Sequence, residues 1–99
     1  MSHRVLEQRI ARSKALEIAE AGIQYYRWHL AHSPTDFTSD TGEHTYKDPY
    51  GGIIGYFSLS LDPPSEGSSI VTITSTGWTK NLPNAKRTLK VRYGKSSLA

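Results

Sequence analysis

The stretch ALEIAEAGIQYYRWHL, residues 15–30, decides how the chain folds. It reads as helix, and it carries apolar residues at two spacings. Leu16, Ala19, Ile23, Tyr26 and Leu30 form one stripe, and Ile18, Ala21, Tyr25 and Trp28 form another. A surface helix of a small domain needs a single apolar face. The first stripe suits the chain's own core, and the second asks for a further partner.

Working outward, residues 3–32 read as one helix. They hold no proline, one glycine (Gly22) and many strong helix formers. Ser2 is a candidate cap at the start. Ser33-Pro34 is the stop, because a residue before proline is pushed out of the α region. Thirty helical residues span about 45 Å. A domain of this length is about 30–35 Å across, so the helix is expected to overhang its own domain. Its first half is polar, with Arg4, Arg9, Arg12 and Lys14 against the lone Glu7.

Residues 33–51, SPTDFTSDTGEHTYKDPYG, are rich in turn formers and read as one long loop. Three alternating segments follow at about 52–61, 69–77 and 86–93. Ile53, Phe57, Leu59 and Leu61 alternate with Tyr56, Ser58 and Ser60. Val71 and Ile73 alternate with Thr72, Thr74 and Thr76. Leu89, Val91 and Tyr93 alternate with Thr88, Lys90 and Arg92. Period-2 strands with one wet face are the mark of an antiparallel sheet. The expected architecture is a single α+β domain over residues 1–99. In it the helix lies on a three-stranded antiparallel meander, a fourth strand being left open.

Composition narrows the function. The 99-residue chain has no cysteine, which removes disulfides and thiolate chemistry. No apolar run is long enough to span a membrane as a helix, and no secretory signal is present. No nucleophile elbow, phosphate loop or triad spacing occurs, so an enzyme is not expected. His29 and His32 stand three apart with Asp36 beyond them, yet no further ligands join them, and no metal site is expected. Asp36, Asp40, Glu43, His44 and Asp48 crowd the loop without the alternation of an EF-hand. No cofactor is expected.

Charge is unevenly placed. All nine acids precede residue 67, and Lys80, Lys86, Arg87, Lys90, Arg92 and Lys95 follow with no acid among them. Lys80, Lys86, Arg87, Lys90 and Arg92 are therefore candidate polyanion contacts, with Tyr56 as an aromatic on the same wet face. The alternative is an ordinary solvated strand face.

Several stretches carry a resemblance. The Ala-Glu-Ala-Gly of residues 19–22 within ALEIAEAGIQYYRWHL is similar to the segment of minor-pilin assembly proteins in which the helix enters the head. YKDPYGGIIGYFSL (46–59) resembles the pseudopilin junction that closes the loop and opens the first strand. IVTITSTGW (70–78) followed by NAKRTLKVRY (84–93) resembles the closing strand pair of such heads. The chain thus resembles type IV pilins and pseudopilins over most of residues 15–93. The family's cleavage site, apolar anchor, disulfide loop and acidic calcium loop have no counterpart here.

The resemblance implies a pilin-like fold and a non-enzymatic structural subunit of a type IV pilus or pilin-like secretion apparatus. Ile10, Ile18, Ala21, Gly22, Tyr25 and Trp28 would meet neighbouring subunits, and the loop and sheet face would serve adhesion, partner or DNA contact. It also implies a place in the cell envelope, periplasmic or extracellular, with an inner-membrane anchor upstream of MSHRV in the full-length protein. Two other outcomes bear on these residues: loop 33–51 folds over Tyr25 and Trp28, or Gly22 packs on its own sheet. The alternative function is a basic module that binds nucleic acid through the last strand and the turn before it.

Overall fold

The computed structural model describes residues 3–33 and 35–94, with side chains in the helix from Arg9 onward. Ser2 and Lys95 lie outside the described residues. One helix, α1 (His3–His32), packs on a sheet of β1 (Gly42–Lys47), β2 (Ile53–Asp62), β3 (Ile70–Thr79) and β4 (Arg87–Gly94). The strands are all antiparallel and run in the order β1-β2-β3-β4.

The α+β class stands, and two parts of the expected architecture are corrected. The sheet has four strands, because Gly42–Lys47 pairs with β2 inside the segment read as loop. GEHTYK is short and polar, and only His44 and Tyr46 turn partly inward, so its apolar alternation is faint. The pilin-like layout, with a polar helix half standing clear of the head, is the second correction. Ala11 is already buried, and the helix lies on the sheet from there to Leu30. The expected overhang concerns residues 3–8, whose side chains lie outside the described ones.

The buried face of the helix draws on both apolar stripes and coincides with neither. Ala11, Ala15, Ile18, Ala19, Ile23, Tyr26 and Leu30 are all buried, as are Gly22 and His29 between them. Ile18, assigned to the outer stripe, is fully enclosed. Leu16, assigned to the inner one, is only half-buried. The face is centred on a line of small residues, Ala15, Ala19 and Gly22, which counts weakly in an apolar periodicity.

Those small residues let the helix backbone settle onto β3. A methyl added at Gly77 would strike the Ala15 carbonyl oxygen and the Ala19 amide. One added at Gly22 would strike the Ser75 hydroxyl and the Phe57 ring. Phe57, Leu59, Val71 and Ile73 fill the sheet side of this core. Leu89, Val91 and Tyr93 flank it from β4, and Tyr25, Phe37 and Tyr46 close the other margin.

The β1–β2 connection is built on Asp48. Its Oδ1 accepts the amides of Tyr50 and Gly52 at 2.8 and 2.9 Å. Gly51 supplies the positive φ of 90° that the reversal needs.

Candidate functional site

Two surfaces remain after the core is filled: the solvent side of α1 and the outer face of the sheet. A third feature, a polar knot at the helix C-terminus, ties the loop down.

The six expected subunit contacts do not share one surface. Ile18 is fully buried, and Gly22 is sealed against Ser75 and Phe57. Tyr25 is half-buried, its ring 5.0 Å from His44 and 6.1 Å from Phe57, and Ala21 is half-buried. Only Ile10 and Trp28 stand out, 59% and 60% exposed. They are 18 residues apart, or five whole turns, and so share one azimuth about 27 Å apart. Between them the surface is polar, with Lys14 and Glu17 paired at 3.1 Å. Trp28 leans on His32, ring centroids 4.3 Å apart, and the loop does not cover it.

Beside Ile10 lies an open groove of about 430 Å³, lined by Ile10, Ala11, Lys14, Ile54, Thr79, Asn81 and Leu82. Ile53 is also exposed at this end of the sheet. The groove lies between the N-terminal part of α1, the end of β3 at Thr79 and the start of the β3–β4 turn at Asn81 and Leu82. The lining is mostly carbon, a surface that water wets poorly.

The knot at the other end holds His29, which is 8% exposed. Its Nε2 faces Asp36 Oδ2 at 3.3 Å, and its Nδ1 faces Asp40 Oδ2 at 3.5 Å. Nε2 makes no aligned hydrogen bond. The Tyr26 hydroxyl donates to the carbonyls of Ser39 at 2.9 Å and Asp36 at 3.2 Å. Burial raises the Tyr26 pKa first, and the carboxylates of Asp36 and Asp40 add to it. Asp36 Oδ1 accepts the amides of Ser39 at 2.8 Å and Thr38 at 3.2 Å. Those hydrogen bonds, Ser39 foremost, hold its carboxyl at about 2. His32 turns away, its Nδ1 donating to the Trp28 carbonyl at 2.9 Å. His29 and His32 therefore do not converge. Among the described residues no group of three or more histidine or acidic side chains is arranged to hold a metal ion.

The outer face of the sheet is open to solvent. Strand alternation and pairing put Tyr56 beside Trp78, Thr76 between Ser58 and Thr88, Thr74 between Ser60 and Lys90, and Thr72 between Asp62 and Arg92. Tyr56 and Trp78 stack with centroids 5.9 Å apart and planes 29° apart. The Lys86 ammonium sits 4.6 Å from the Trp78 ring centroid. The Thr76 and Thr88 hydroxyls are 3.0 Å apart. Of the five expected polyanion contacts, Lys86, Lys90 and Arg92 gather on this face. Lys80 is exposed at the turn, and Arg87 is exposed in the inward phase of β4, opposite Gly77.

Trp78 was not anticipated as a site residue. Its signal lies in the phase of VTITSTGWT, where it continues the outward series Thr72, Thr74 and Thr76. Among the described residues no helix is long and apolar enough to cross a membrane. Comparison with protein-family models, with curated proteins and with solved structures finds no match to any of them.

Proposed function

We propose that the chain is a non-enzymatic structural subunit of a type IV pilus or related filament in the cell envelope, and that it meets neighbouring subunits along its helix. The supporting observation is the apolar groove beside the exposed Ile10, at the N-terminal end of the seam between helix and sheet. Exposed apolar surface next to a groove is the usual mark of a protein contact. Ile18 and Gly22 drop out of the interface because the chain's own sheet absorbs them. Ile10 and Trp28 are the anchors that remain, and Trp is among the residues most enriched in binding hot spots. The stretches that resemble pilin-type motifs, at residues 19–22, 46–59, 70–78 and 84–93, direct the reading towards this filament class.

The test is sedimentation over a wide concentration range. The chain is expected to self-associate, and Ile10→Asp is expected to return it to monomer without changing its melting temperature. A chain that stays monomeric at the highest concentration, with a wild-type-like Ile10→Asp variant, refutes the helix interface.

A further inference from the structure

We propose that the outer face of the sheet binds single-stranded nucleic acid, with Tyr56 and Trp78 receiving bases and Lys86, Lys90 and Arg92 receiving phosphates. The face is distinct from the helix and owes nothing to the groove beside Ile10.

Charge comes first. Lys90 and Arg92 are two residues apart on one strand, about 7 Å along β4. Lys86 stands in the turn just before that strand, over Trp78. Among the described residues no acid lies within ion-pair distance of these three cations. The acids of this face are Glu43 on β1, opposite Ser58, and Asp62 at the end of β2, opposite Thr72 and two strands from Arg92 in the same row. Cations left unpaired on a flat surface suit an anionic polymer.

The aromatics narrow that polymer to one with bases. Tyr56 and Trp78 form the only ring pair on this face among the described residues. Trp78 stacks with Tyr56 and carries the Lys86 ammonium over its ring. On the β1 side the residue opposite Tyr56 in the register is Thr45, a short side chain. A base can stack there while Lys86 stays over the indole, or it can replace Lys86 on the indole and leave the ammonium free for the adjoining phosphate. Stacking on side chains combined with a basic track is how sheets hold single strands.

The floor between aromatics and cations is hydroxyl-rich: Ser58, Ser60, Thr72, Thr74, Thr76 and Thr88. Hydroxyls donate to phosphate oxygens and accept from base amines. The same floor argues against a lipid surface, which needs apolar side chains along its whole contact. A flat four-stranded face also lacks the protruding helix or ribbon that enters a duplex groove.

The experiment titrates the chain into a fluorescein-labelled oligothymidylate of about 20 nucleotides, read by anisotropy. Binding is expected to weaken with salt at a log–log slope of about −2, from three phosphate contacts at about 0.7 each. Lys90→Ala is expected to reduce that slope by about 0.7. Tyr56→Ala is expected to cut affinity about tenfold or more at constant salt. Ile10→Asp is expected to bind like the wild type, which separates this face from the helix reading. Absence of binding at about 50 mM salt overturns the proposal. So does equal binding of heparin or duplex DNA that Tyr56→Ala leaves unchanged, because the face would then be a polyanion surface without base contacts. Wild-type melting temperatures for Lys90→Ala and Tyr56→Ala exclude misfolding as the cause.

Discussion

Gly22 of the helix lies against Ser75 of β3 with no room for a methyl between them, and the Ser75 hydroxyl has no hydrogen-bond partner. Helix and sheet are therefore joined at a seam where backbones meet, not where large side chains interlock. Gly22→Ala is the direct probe. Alanine favours the helix by about 1 kcal/mol over glycine. Displacing Ser75 and Phe57 costs more, about 1–3 kcal/mol for an overpacked core. Urea denaturation is expected to show net destabilisation, and a stabilised variant would contradict the close seam. Ser75→Ala removes a buried hydroxyl that bonds to nothing, so stability is expected to hold or rise by up to about 1 kcal/mol. In a double-mutant cycle it should recover part of the Gly22→Ala loss.

Gly77→Ala is expected to be worse than Gly22→Ala. Its new methyl meets the backbone of Ala15 and Ala19, which cannot rotate aside as a hydroxyl can. A loss above about 3 kcal/mol is expected, within the range of severe core overpacking. Thermal unfolding followed by circular dichroism would register it, and a wild-type melting temperature would contradict the geometry.

Tyr26→Phe tests how the loop is fastened. The hydroxyl serves two loop carbonyls ten and thirteen residues downstream, while the ring is wholly buried. The substitution keeps the ring and is expected to cost about 0.5–1.5 kcal/mol. Amide exchange should quicken at residues 36–41 and stay unchanged in β3. Uniform quickening would mean that the loop is not separately held.

Asp36 sets an acid limit for the same loop. Its carboxyl is held at about 2 in the fold, below its ordinary value of 3.8. The stabilising contribution is complete above 3.8, since a lowered pKa means that folding favours the ionised form. It is lost as pH falls from there towards 2. Melting temperature should drop across that window, and Asp36→Asn should flatten that part of the decline. Carboxyl-carbon shifts followed by NMR would give the midpoint directly, and a midpoint at 3.8 would contradict the hydrogen bonding.

Trp28→Ala separates stability from assembly. The indole is more than half exposed and touches mainly His32. Monomer stability is expected to change by less than about 0.5 kcal/mol. Self-association along the helix, in contrast, should weaken measurably in sedimentation.

The elements with strong periodicity were legible in the sequence. The helix ends at His32, just before the proline, and the long strands lie within a residue or two of their alternating runs. What escaped depends on residues with little hydrophobic signal. β1 carries only His44 and Tyr46 towards the core, and pairing with β2 makes it a strand. The helix face is wider than its large residues suggest, because Ala11, Ala15 and Gly22 contribute fit and not bulk. Ile18 thus looked like a surplus stripe and is core. Of the outer-face site, the cations and Tyr56 could be read from alternation. The pairing of Tyr56 with Trp78 needed the register between β2 and β3, which no local pattern encodes.

β4 forms one border of the sheet, and its outward residues Lys90 and Arg92 follow the exposed Arg87. A bare border strand is a template for another chain. Two β4 strands brought edge to edge would set like charges against each other, which opposes that pairing. A seam of two β4 strands is thereby discouraged. Copies of this chain that associate are steered away from that border and towards other contacts.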